Sequence, residues 1–144
     1  MEINLIRKNN KFNFEATGPE GHVVNLDANP QIGGEGKGFR PMEMLLIGLG
    51  GCSGIDMVNV LDKQKEPLKD ISIKITASRK TDEVPAIFET VNVHFDLYGE
   101  LSVQKVERAL NLTFEKYCSV ANILGRSATI TFSYAVHEAV PSLD

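Results

Sequence analysis

Cys52 and Cys118 are the two cysteines of this chain. A thiol pair can do one kind of chemistry unaided: one sulfur reacts with an oxidant, and the other then closes a disulfide with it. That requires the fold to bring the two sulfurs together. Cys52 stands in a glycine-rich apolar stretch and Cys118 at the end of a second, amphipathic one. A helical projection at about 100° per residue places Leu45, Gly48, Cys52, Asp56, Asn59 and Lys63 on one stripe, so Cys52 belongs to the most polar side of an apolar helix and is expected to face a crevice. Asp56, one turn along, opposes a thiolate unless a cation intervenes. Arg40 is the nearest candidate cation in sequence, about three helical turns away. Glu43 precedes Cys52 by nine residues, about half a rotation round a regular helix and roughly 13 Å along it; it can reach a thiol only if a second subunit delivers it.

The elements that must position these residues follow from periodicity and breaks. Glu2 to Arg7, Lys11 to Thr17 and His22 to Asp27 read as a three-stranded meander, broken at Asn9-Asn10 and at Gly18-Pro19-Glu20-Gly21. Ala28 to Gly38 loses periodicity, carries four glycines and reads as a mobile loop able to cover a site. Pro41-Met42-Glu43 opens a helix, with proline in the first turn and a carboxylate at the positive end of the dipole, that runs to about Gln64. Met44, Leu45, Leu46, Ile47, Leu49, Ile55, Met57, Val58, Val60 and Leu61 leave it few polar positions, which predicts a core helix buried on most sides. Its glycines, Gly48, Gly50, Gly51 and Gly54, each cost about 1 kcal/mol relative to alanine and imply that another backbone comes close, within the chain or across a dimer interface.

Two alternating stretches, Asp70 to Lys80 and Phe88 to Tyr98, predict strands with one buried face each. Val103, Val106, Leu110, Phe114 and Tyr117 recur at spacings of three and four and mark an amphipathic helix ending near Cys118, with Tyr117 as core packing beside the thiol. A turn over Ser119 to Leu124 and a last strand, Ala128 to His137, complete an α+β fold of segregated sheets and two main helices, one domain over residues 1–144.

Composition narrows the function. With 15 basic against 19 acidic residues, a formal charge of −4 and no basic run, the chain lacks the clustered positive face that nucleic acid requires. Met1-Glu2-Ile3-Asn4 lacks a secretory pattern, and no uninterrupted apolar stretch approaches a membrane span, so a cytoplasmic protein with free or redox-active thiols is expected. His22, His94 and His137 are far apart in sequence, without metal-ligand spacing, and read as structural or solvated. Gly33-Gly34-Glu35-Gly36 lacks the context of a phosphate loop.

Three segments, Arg40-Pro41-Met42-Glu43-Met44-Leu45-Leu46, Gly50-Gly51-Cys52-Ser53-Gly54-Ile55-Asp56 and Glu115-Lys116-Tyr117-Cys118-Ser119-Val120, resemble the OsmC/Ohr family, most closely its YhfA-like branch, and the resemblance spans nearly the whole chain. It implies antiparallel sheets around a long central buried helix and a second amphipathic one, in an intertwined homodimer with each site at the subunit interface. It also implies reduction of organic hydroperoxides, with Cys52 as the peroxidatic and Cys118 as the resolving cysteine, an external dithiol reductant, and no metal, flavin or haem. The chain departs from the characterised peroxidases in two places. Met42 follows the proline where they carry glutamate, so Glu43 comes one residue late, about 100° of helix; and Ala28 to Phe39 holds no activating arginine, leaving Arg7, Arg40 and Arg79 as substitutes. Apolar neighbours such as Phe39, Leu45, Leu49 and Ile55 suit a bulky organic substrate. The alternative is a non-enzymatic redox sensor or hydrophobic-ligand-binding protein of the same fold.

Overall fold

A computed structural model describes residues 1–142. They form two compact units, Met1–Ile47 and a second that begins at Gly48. In the first, β1 (Asn4–Arg7), β2 (Phe14–Thr17) and β3 (Val23–Leu26) make an antiparallel meander in the order expected, with Arg7 opposite Phe14 and Phe14 opposite Leu26. The 28–38 segment departs from the mobile loop anticipated. Pro30–Ile32 forms a short 3-10 turn, and Asp27, only 3% exposed, pins the backbone on either side of that turn. Its carboxylate accepts hydrogen bonds from the backbone N–H groups of Ala28 at 2.8 Å, Glu35 at 3.0 Å and Lys37 at 3.1 Å. Those donors, that of Lys37 foremost, hold its carboxyl below the ordinary carboxylate range.

α1 (Pro41–Lys63) starts as the sequence indicates. Glu43 accepts the Arg40 backbone N–H at 2.9 Å, half of a capping box that satisfies a donor the helix itself leaves free. The second unit sets the rest of α1 beside a mixed sheet in the order β4 (Asp70–Arg79), β5 (Phe88–Tyr98), β6 (Thr129–His137). β4 and β5 pair antiparallel as expected, whereas β6 lies parallel to β5, with Thr90 opposite Thr129 and Tyr98 opposite His137. A parallel neighbour needs a long crossover, and residues 99–128 supply it through α2 (Val103–Leu112), a π-helical turn (Thr113–Tyr117) and α3 (Ser119–Leu124). Ser119 to Leu124 is thus a helix and not the turn read from the sequence.

The core of this unit joins Val91, Val93, Phe95 and Leu97 on one face of β5 with Val106, Ala109 and Leu110 of α2 and Leu49, Met57 and Leu61 of α1, all essentially inaccessible. Phe114 stacks on Phe132 at 4.9 Å and meets Phe95 edge-on at 6.1 Å. Glu66 ties α1 to α2: it pairs with Lys105 at 2.8 Å and accepts the Ser102 backbone N–H at 2.7 Å at the start of α2.

α1 is long enough and on average apolar enough to cross a membrane, although, as expected, Glu43, Ser53, Asp56 and Asn59 interrupt its apolar run. The structure corrects one expectation: α1 is not buried on most sides. Leu49, Ser53, Gly54, Met57, Val60 and Leu61 are inaccessible, while Leu45, Ile47, Ile55 and Val58 are exposed. One sheet covers one face of a helix, and α1 is apolar on more than one.

Of the four glycines, Gly50 and Gly54 serve a close approach, to side chains of β4 and not to the backbone expected, whereas a Cβ on Gly48 or Gly51 would meet nothing within 4 Å. A Cβ on Gly54 would lie 2.7 Å from Ile73 Cδ1, and one on Gly50 3.0 Å from Ile75 Cδ1. Gly54→Val is therefore expected to lower stability by about 1–3 kcal/mol through overpacking. Chemical denaturation checks this. In a Gly54→Val, Ile73→Val double variant, which removes the clashing methyl, the loss should be smaller than the sum of the two single changes.

Candidate functional site

α1 carries Cys52 and Asp56 one turn apart, so their side chains leave the same flank of the helix. Ser53, the next residue, turns inward, where its buried hydroxyl is satisfied by donating to the Leu49 carbonyl at 2.7 Å, and Cys52 stands half-buried beside the core. Cys118 arrives from the other direction. The π-helical turn ends on it, with its backbone N–H donating to the Thr113 carbonyl at 2.8 Å, and Cys118 then becomes the N-cap of α3, its sulfur accepting the Ala121 N–H at 3.4 Å. The fold thus brings the two cysteines together: Cys52 Sγ, Cys118 Sγ and an Asp56 carboxylate oxygen all lie within 4.8 Å of one another. Both thiols are free.

The surroundings of Cys118 and Asp56 oppose their ionisation. Burial, countered in part by the Ala121 N–H and reinforced by Cys52 and Asp56, pushes the Cys118 thiol from the ordinary 9.0 up to about 11. Burial likewise raises the Asp56 carboxyl, and its Oδ2, fully out of solvent, has no hydrogen-bond partner. An acidic residue beside two thiols, with its second oxygen unsatisfied, is an arrangement that takes up a proton or a cation readily.

Asp56 also enters a cavity of about 310 Å³ lined by Asn59, Val60, Lys63, Gln64, Arg108, Leu112 and Tyr117. Arg108 escaped the sequence reading. Its signal was its place one turn before Leu112 on α2, a spacing that puts both on one flank. Tyr117 was expected in the core but is 46% exposed, with the Lys116 ammonium 5.5 Å above its ring. The π-helical turn explains this: one extra residue in a turn shifts the helical phase by about 100°, which keeps Phe114 inside and turns Tyr117 out toward the cavity. Among the apolar residues assigned to substrate, Leu49 is fully buried in the core and Ile55 is 72% exposed; neither lines the cavity beside Asp56, where Val60, Leu112 and Tyr117 stand among charged and amide side chains.

Of the supporting residues, Arg40 is exposed and gives its backbone N–H to Glu43, whose carboxylate is thereby engaged at the helix start. Arg7 and Arg79 each donate Nε to a backbone carbonyl, of Lys11 at 2.9 Å and of Ala86 at 2.7 Å. His22 is solvated beside Glu20. His94 and His137, distant in sequence, are brought together by the parallel β5–β6 register around Asp96 Oδ1, at 3.7 and 2.7 Å.

Comparisons with known proteins agree with this fold. The family model described as "OsmC-like protein" matches residues 34–133. "Protein YhfA" of Escherichia coli K12 is 40% identical over 124 residues, 85% of this chain and 89% of that one. Among solved structures, a hypothetical protein from Aquifex aeolicus VF5 superposes with a TM-score of 0.83 at 29% identity, covering 96% of this chain and 97% of the other. An organic hydroperoxide resistance protein OsmC from Legionella pneumophila shares the fold, at a TM-score of 0.72 and 20% identity over 94% and 96% of the two chains.

A thiol whose folded pKa exceeds its unfolded value favours the folded state while it stays protonated, and that contribution disappears as pH rises through the two values. Stability is therefore expected to fall between pH 9 and pH 11 in part through Cys118. Denaturation midpoints across this range should show a shallower fall in Cys118→Ser, run alongside the unaltered protein to account for its other titrating groups.

Proposed function

The chain belongs to the OsmC-like protein family, and on that premise we propose that it is a thiol peroxidase that reduces organic hydroperoxides, with Cys52 attacking and Cys118 resolving. The observation that carries this reading is the approach of the two free sulfurs, within 4.8 Å on two different elements. A disulfide needs about 2.05 Å between sulfurs, so a local shift of under about 3 Å closes it. Cys52 is the more accessible of the pair and Cys118 is 3% exposed, which favours Cys52 for the first attack.

The steps balance without a cofactor. The Cys52 sulfur bonds to the outer peroxide oxygen, the O–O bond breaks, and the organic fragment leaves as an alcohol after taking a proton. The Cys118 sulfur then attacks the Cys52 sulfenic acid, the S–O bond breaks, and hydroxide leaves as water with the Cys118 proton. An external dithiol restores both thiols by being oxidised to its own disulfide. Once Cys52 is a sulfenic acid it no longer competes with Cys118 for negative charge, so the resolving thiol ionises more readily when it is needed. Arg108 and Lys63, lining the cavity with Asp56, supply positive charge toward which a departing oxyanion can move; this takes the place of the loop arginine that the chain lacks. Arg40 and Glu43 act in this reading at the helix start.

The working unit is a homodimer, in which a second copy covers the exposed Leu45, Ile47, Ile55 and Val58 of α1; apolar patches of this kind mark association surfaces. The chain acts as one OsmC-like domain, in the cytoplasm.

Intact mass after a stoichiometric pulse of an organic hydroperoxide tests the chemistry. The native chain should lose two hydrogens, Cys118→Ser should hold a trappable sulfenic acid at Cys52, and Cys52→Ser should consume no peroxide; unchanged turnover in Cys52→Ser would exclude it as nucleophile. For the assembly, light scattering should give twice the chain mass, and Ile55→Glu should shift it toward the monomer.

A further inference from the structure

The trio at the centre of the site has the makings of a second kind of occupant. We propose that the reduced protein binds a divalent zinc-type cation through Cys52 Sγ, Cys118 Sγ and an Asp56 carboxylate oxygen. Metal coordination at these residues is a different property from peroxide reduction; it shares the two thiols with that reading and is measured without turnover, so either can fail alone.

The geometry is already close to that of a coordination shell. Tetrahedral zinc with Zn–S near 2.3 Å and Zn–O near 2.0–2.2 Å sets neighbouring ligand atoms about 3.5–3.8 Å apart, and the three donor atoms here lie within 4.8 Å of one another. Inward shifts of about 1 Å at most would complete the shell. The ligand spacing is also of a type that helices use for metals. Cys52 and Asp56 are four residues apart on α1, the same separation that lets two side chains of one helix share an ion. The third donor comes from the junction of the π-helical turn and α3, where the Ala121 N–H already holds the Cys118 sulfur at 3.4 Å, an outer contact that orients the ligand.

An independent observation points to a missing partner. Asp56 Oδ2 is out of contact with solvent and makes no hydrogen bond, and Asp56 forms no salt bridge among the described residues. A buried carboxylate oxygen without a donor is costly, and a cation held by the Asp56 carboxylate would neutralise its charge and lift that cost. Two thiolates and one carboxylate select for a borderline-soft ion over calcium or magnesium, which take oxygen ligands. Three protein ligands leave a fourth position open for water or an added ligand.

Coordination displaces the two thiol protons, so apparent affinity should rise with pH. It would also occupy both sulfurs' lone pairs, shielding the reduced pair from oxidation, and the disulfide form, lacking thiolates, would release the ion. Redox state and metal occupancy would thus exclude one another.

The test uses the reduced full-length chain without oxygen. Cobalt(II) is titrated first, as a spectroscopic probe, and zinc is then measured by competition with a chromophoric chelator. Expected are one ion per chain, a thiolate-to-cobalt charge-transfer band, loss of that band in Cys52→Ser and in the disulfide form, and at least tenfold weaker zinc binding in Asp56→Asn, an isosteric change whose folding is checked by circular dichroism. No charge-transfer band in the reduced native chain would overturn the proposal. Binding in Asp56→Asn equal to that of the native chain would overturn the three-ligand site, since two thiolates alone would then account for it.

Discussion

The placement of α1 against β4 is the constraint on which the rest of the second unit depends. Gly50 and Gly54 leave no side chain between the helix and Ile75 and Ile73, so the helix can sit low on the sheet. Leu49, Ser53, Met57, Val60 and Leu61 then seal the interface. Once that rotation is fixed, Cys52 and Asp56 have no choice of direction: they project from the flank of the helix, neither into the core nor fully into solvent. The helical cost of glycine, about 1 kcal/mol at each position, is offset by this packing, and the flank that carries Cys52 and Asp56 is its by-product. Glu66, Lys105 and Ser102 hold the far end of α1 to α2, which carries the alignment onward to the π-helical turn and Cys118.

That alignment creates an electrostatic tension. The fold gathers a carboxyl and two thiols in a region where burial raises both Asp56 and Cys118. All three groups gain negative charge by losing a proton, and each ionisation makes the next harder. The site therefore rests with Cys118 protonated and is changed by whatever removes or neutralises negative charge there. In the proposed readings an oxidant would do so by converting a sulfur to a neutral sulfenic acid, and a cation would do so directly. Arg40, Arg7 and Arg79 have local structural contacts or lie exposed, whereas Arg108 and Lys63 line the same space as Asp56.

Much of this was legible in the residues. Strict alternation at Ile71, Ile73 and Ile75 and at Val91, Val93, Phe95 and Leu97 placed β4 and β5 within a residue of their ends, since a strand with one buried face has a period of two and little else does. Pro41 and Glu43 marked the start of α1 because proline and a carboxylate suit the first turn for local reasons. The thiol pair was legible as chemistry, and the stripe through Cys52 and Asp56 as geometry. Pairing that joins distant segments left no local trace: nothing in Thr129 to His137 announces a parallel neighbour, and so the meeting of His94 with His137 was hidden. The π-helical turn was hidden too, because Val106, Leu110, Phe114 and Tyr117 fit a regular helix until the phase slips at the last step. Asp27 looked like a strand-end acid, yet it organises the residues after it.

The apolar face of α1 shows how one helix can answer two requirements that conflict in a monomer. A helix that packs on a sheet needs apolar residues on a single stripe, and Leu49, Met57 and Leu61 meet that need. Leu45, Ile47, Ile55 and Val58 add a second apolar surface that one sheet cannot reach. Retaining it exposes surface that costs roughly 25 cal/mol per Å² in water, so the sequence is better suited to a state in which that surface is covered. A second copy of the chain offers the same apolar face to pair with it, and twofold pairing matches like surfaces. Such pairing would exclude water along the helix that bears Cys52, and a drier environment strengthens every electrostatic interaction among the thiols, Asp56 and any ion or oxyanion that joins them. In that state burial of the helix and control of the thiols become one physical event.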